Sequence, residues 1–128
     1  MTDLLYFYFY MIDQAIQKHL INFEALNPFT GNNADFAKQL VTALLAEMQS
    51  FTTKIKETPT EEDIEVFRKA NHSISPSLQM LEMHTLTIAI AEYKNACINN
   101  KTEVAVCAKK VNTLLQQAIE EAKKWVEA

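Results

Sequence analysis

The chain has 128 residues, 48% of them hydrophobic and 22% charged, which suits one globular domain able to bury about two-thirds of its unfolded surface. Its only glycine, Gly31, excludes the Gly-rich phosphate loops of ATP-binding kinases and dinucleotide enzymes, and a net charge of −4 argues against a nucleic-acid partner. Two cysteines without CxxC spacing, Cys97 and Cys107, read as reduced, half-buried helical thiols.

Residues 3–20 are predicted to form a first helix, apolar on nearly all sides at its start. The run 4–12 (LLYFYFYMI) is too short to span a bilayer, so no membrane insertion is expected. It has no basic segment before it and no small-residue cleavage site after it, so it is not read as a signal peptide. The cytoplasm is the default location, and a monomer is expected ahead of a dimer through this segment. Residues 27–33 (NPFTGNN) form the clearest break. Asn32 or Asn33 can cap a second helix over 34–56, with Asp35 in its first turn. Phe36, Leu40, Leu44, Met48, Phe51 and Ile55 give that helix its apolar stripe. Thr58 to Thr60, around Pro59, end it, and Thr60 with Asp63 resembles a capping box for a third helix over 61–82. A fourth helix is predicted over 85–98, with Leu86, Ile90, Tyr93 and Cys97 inward. A fifth is predicted over 103–126, with Val104, Cys107, Val111, Leu114, Ala118, Ala122 and Trp125 inward. Long amphipathic helices with short links predict an all-α domain spanning 1–128. Its architecture would be an antiparallel four-helix bundle (up-down-up-down, 34–126) with an additional N-terminal helix as a cap.

In the third segment Ile64, Phe67, Ile74, Leu78 and Leu81 share an arc of roughly 100°, and His72 falls about 140° from its centre. His72 therefore points to solvent. A neutral imidazole has a nucleophilic ring nitrogen near pH 7, able to accept a phosphoryl group in line from a partner. Arg68, one turn earlier, and its neighbour Lys69 can offset charge on such a group, and Ser75 and Pro76 leave room for a partner surface.

Residues 27–99 resemble the histidine phosphotransfer (HPt) domain of multistep two-component relays. They hold a Gly-containing loop, a long amphipathic helix, and an acid-started helix with Ala70 shortly before His72. After it come Ile74, small residues, Leu78 and a second amphipathic helix. Residues 103–128 would be the family's last helix and 3–20 its N-terminal cap. The resemblance implies a phosphoryl carrier without kinase activity of its own. His72 would be the acceptor, and Arg68, Lys69, Ser75, Pro76, Gln79 and Lys94 would support it or line the docking face. The implied partner is a response-regulator receiver domain, a hybrid sensor kinase, or both; it would bring the magnesium and the aspartate, so no cofactor or metal is bound by this chain. The chain departs from the family at four positions. Ser75 stands where lysine is usual, Pro76 and Glu82 where glycine is usual, and Lys94 where a Glu or Gln often orients the imidazole. Pro76 also removes the amide that would bond the His72 carbonyl, so a local kink is expected.

These departures favour an alternative, a degenerate HPt-like module that docks a receiver or kinase without carrying phosphate. A helical adaptor or dimer using the aromatic first segment is a third reading. An exposed histidine without a surrounding pattern is usually only a solvated side chain, and His19 and His84 are read that way. His72, Glu82 and His84 cannot share a metal, since His72 and Glu82 sit about 15 Å apart along the helix. Glu61, Glu62 and Asp63 are first-turn acids that favour the helix dipole. Met48, Met80 and Met83 are gap-fillers.

Overall fold

Glu121 holds the start of the visible fold: in this computed structural model, which describes residues 19–128, its carboxylate accepts the Leu20 N–H at 2.9 and 3.0 Å and the Ile21 N–H at 3.2 Å. The predicted first helix lies outside the described residues over 3–18, and its last two positions, His19 and Leu20, are not helical. Their amides turn to a carboxylate instead of continuing a helical ladder. Asn22 extends the attachment by donating its backbone N–H to the Leu81 carbonyl (3.0 Å) and its side-chain amide to Glu82 (3.0 Å). Phe23 then stacks on Trp125, ring centres 4.9 Å apart.

All regular structure among the described residues is helical, with no strand. After a 3₁₀ turn (Phe23–Leu26) come α1 (Asn27–Thr30), α2 (Ala34–Thr52), α3 (Glu61–Met80), α4 (His84–Asn99), a second 3₁₀ turn (Lys101–Glu103) and α5 (Val104–Glu127). Gly31 ends α1 at φ +58°, where a side chain is disfavoured. Asn33, rather than Asn32, caps α2 by accepting the Phe36 N–H at 3.1 Å.

α2 stops at Thr52, short of the predicted residue 56. The hydroxyls of Thr52 and Thr53 donate to the carbonyls of Gln49 and Ser50, both at 2.7 Å, competing with the helical amides for the same acceptors. Its buried stripe also differs from the predicted one. Ala37, Val41, Leu44, Met48, Phe51 and Ile55 face inward, whereas Phe36 is 44% exposed and Leu40 only partly buried. The same offset recurs on α5, where Val104, Ala108, Val111, Leu115, Ala118, Ile119 and Ala122 form the core and Cys107, Leu114 and Trp125 flank it. In both helices an alanine, Ala37 or Ala108, is buried while the larger residue before it stands further out.

α2 packs against α3 and α5, and α4 packs against α3 and α5, around one hydrophobic core. Phe51 lies 6.0 Å from Phe67, and Phe67 meets Tyr93 edge-on at 4.9 Å, so α2, α3 and α4 share an aromatic centre. The Tyr93 hydroxyl donates to the Lys56 carbonyl (2.7 Å) and accepts the Lys56 N–H (3.1 Å), strapping the α2–α3 link to α4. Removing that hydroxyl in Tyr93→Phe leaves both Lys56 groups unpaired, and urea titration should show a loss of about 1–3 kcal/mol. Burial, before any neighbouring charge, pushes the Tyr93 phenol above its ordinary value. The unfolded chain therefore gives up this proton first. The stability involved is intact below about pH 10 and falls as pH rises beyond it toward the folded value.

α3 closes on a Schellman motif. The Met83 N–H donates to the Leu78 carbonyl (2.9 Å) and the Glu82 N–H to the Gln79 carbonyl (3.1 Å), with Glu82 at φ +53°. Glycine takes that conformation without penalty, so Glu82→Gly should stabilise the protein by about 0.5 kcal/mol. This is the left-handed strain relieved, less the added freedom of the unfolded glycine and the exposed bond from Asn22. A raised thermal midpoint would show it.

Candidate functional site

The capping box expected from sequence sets the start of α3. Thr60 Oγ1 accepts the Asp63 N–H (3.1 Å) and Asp63 Oδ2 accepts the Thr60 N–H (2.9 Å). These bonds to Thr60 hold the Asp63 carboxyl below its usual range. From that start Phe67, Ile74 and Leu78 turn inward, with Leu81 just past the helix end. The opposite face carries Arg68, Lys69, His72, Pro76 and Gln79, all exposed. His72 makes no hydrogen bond or ion pair among the described residues.

α3 continues through Pro76. Proline has no N–H to offer, so the His72 carbonyl lacks the helical donor four residues on. Ser75 is half-buried, and its hydroxyl donates to the Asn71 carbonyl at 2.6 Å, with Asn71 Oδ1 3.3 Å away. Arg68 is engaged as well: its Nε donates to Glu65 Oε2 (3.0 Å) and its Nη2 to Glu65 Oε1 (2.7 Å). This pairing holds the Glu65 carboxyl below its ordinary value and the Arg68 guanidinium above its own. Glu65 was not among the residues singled out from sequence; its spacing from Arg68, three residues along one helix, was the available signal.

Lys94 is exposed on α4 and makes no ion pair among the described residues. Buried Tyr93 separates it from Glu92, whose carboxylate receives Lys110 of α5 at 3.2 Å. Glu92 and Lys94 lie about 100° either side of Tyr93. With Glu92 toward α5, Lys94 stands on the flank toward α3. The structure thus gathers five of the seven predicted residues on one open face, puts Lys94 on the neighbouring helix, and turns the Ser75 hydroxyl inward.

None of these residues lines either concavity found elsewhere. A groove of about 1360 Å³ runs between His19–Glu24 and α5, floored by Glu121 and Trp125. A smaller one of about 220 Å³ lies by Pro59, Cys97 and Lys101. No helix among the described residues is long and apolar enough to cross a membrane. Comparison with protein-family models, curated proteins and solved structures finds no match to this chain.

Proposed function

We propose that this chain is a histidine phosphotransfer protein of the two-component type. It would move phosphoryl groups to or from receiver-domain aspartates through His72, and its helices would form an up-down-up-down four-helix bundle with an N-terminal cap. The observation that carries the reading is an unpartnered, exposed imidazole at the middle of α3, directly opposite a buried apolar stripe. The cyclic packing of α2, α3, α4 and α5 supports the bundle. The register of the resemblance gains support from Glu82: the family habitually has glycine ten residues after its histidine, and here that position has φ +53°. Lys69 and Lys94, which make no salt bridge among the described residues, are cations near the ring, while Arg68 is paired with Glu65 as long as His72 is bare and Ser75 offers no charge. The receiver or hybrid kinase supplies aspartate and magnesium, the protein acts as a cytoplasmic monomer, and this chain supplies the nucleophile and the surface.

A second reading is favoured by two of the same observations. With Arg68 paired and the Ser75 hydroxyl committed to Asn71, α3 is also suited to dock a receiver without taking its phosphoryl group. Incubation with a phosphorylated receiver separates the two. Acid-labile label on this protein that vanishes in His72→Gln means carrier; a complex without label means docking module.

A further inference from the structure

Glu65, Arg68 and His72 follow one another at steps of three and four residues, one stripe on the exposed face of α3, with Arg68 in the turn between the other two and its guanidinium on Glu65. We propose that Arg68 is a two-position cation. Glu65 holds it while His72 is bare, and it passes to the phosphoryl group once His72 carries one, so that Glu65 sets how long that group persists. The inference rests on the phosphotransfer reading and adds a positioning residue to it.

Three features of the stripe support the exchange. The Glu65–Arg68 bonds are short, at 2.7 and 3.0 Å, but both side chains are about half exposed (51% and 57%), and an ion pair in water is held weakly. A helical side chain leans over the turn preceding its own Cα, so the His72 ring lies back toward Arg68. Finally, a phosphoryl group carries about 1.5–2 negative charges and three acceptor oxygens, against one charge and two oxygens on Glu65, and its geometry suits the guanidinium fork equally well. Glu65, once released, is hydrated where it stands.

In the transfer step the unprotonated ring nitrogen of His72 attacks the phosphorus of an aspartyl phosphate on the partner. The N–P bond forms, the P–O bond to the aspartyl group breaks, and the carboxylate leaves with the electron pair. The other ring nitrogen keeps its proton. Arg68 takes no part in bond making; its position determines the stability of the product.

The test uses the full chain with phosphoramidate as donor, following phosphohistidine decay by phosphorus NMR after the donor is removed. Glu65→Gln should lengthen the phosphoryl lifetime about 2- to 5-fold, and Arg68→Gln should shorten it by a similar factor. Glu65→Gln should have much less effect in the Arg68→Gln background, because the hydrogen bonds of Glu65 go to Arg68 and its interaction with Lys69 is the weaker one. In wild type the Arg68 Nε resonance should move on phosphorylation. An unchanged lifetime in Glu65→Gln, an equal gain with and without Arg68, or a stationary Nε signal overturns the exchange while leaving the carrier role standing. Equal labelling of wild type and His72→Gln overturns the carrier role, and the exchange with it.

Discussion

Wild-type protein mixed with a phosphorylated receiver domain should acquire label that is lost in acid and retained in base, and His72→Gln should acquire none. Glutamine keeps a polar side chain of similar reach on an exposed helical position, so folding should be unaffected. The loss is expected to be complete because only the imidazole nitrogen can form the N–P bond. His19 and His84 provide the control. Both are exposed, one at the edge of the Glu121 attachment and the other at the first position of α4, and glutamine at either should leave labelling at the wild-type level. Label that survives in His72→Gln and disappears in one of these would move the site away from α3.

Phe67→Ala should cost about 3–5 kcal/mol, the largest effect on stability expected from a single substitution here. Phe67 is 1% exposed and touches rings from both neighbouring helices, Phe51 on α2 and Tyr93 on α4. Truncation removes the ring and leaves a void that three helices share, and it frees the Tyr93 ring whose hydroxyl straps Lys56. Val66, the adjacent residue, is 42% exposed; its replacement by alanine should change stability by about 0.5 kcal/mol or less. Chemical denaturation of the two variants side by side measures whether burial, rather than position in α3, sets the cost.

Features of the fold that depend on local chemistry were legible in the sequence. The Thr60–Asp63 capping box, the Asn33 cap, the inward stripe of α3 and the buried face of α4 all follow from residues within a few positions of one another. The readings of α2 and α5 held at Leu44, Met48, Phe51, Ile55, Val104, Val111, Ala118 and Ala122, but Phe36, Leu40, Cys107, Leu114 and Trp125 were placed inward where the structure buries Ala37, Val41, Ala108, Leu115 and Ile119. Apolar periodicity gives weight to Phe36 and Cys107, whereas the structure gives the inward place to Ala37 and Ala108, and size alone does not tell a flanking residue from a core residue. The exposure of His72 followed from the α3 stripe, since rotation by about 100° per residue is fixed. The state of its neighbours did not follow. Whether Arg68 faces His72 or Glu65, and whether the Ser75 hydroxyl turns out or back to Asn71, depends on rotamers that spacing leaves open. Glu121 left no trace at all in local pattern, because its partners are 100 and 101 residues away.

That separation has a consequence for how the protein is made. Leu20 and Ile21 leave the ribosome about 5–20 seconds before the carboxylate that will receive their amides, at about 5–20 residues per second. Until α5 has been translated Leu20 and Ile21 lack this acceptor, while the neighbouring Asn22 can already pair with Leu81 and Glu82, so the two halves of the attachment close at different times.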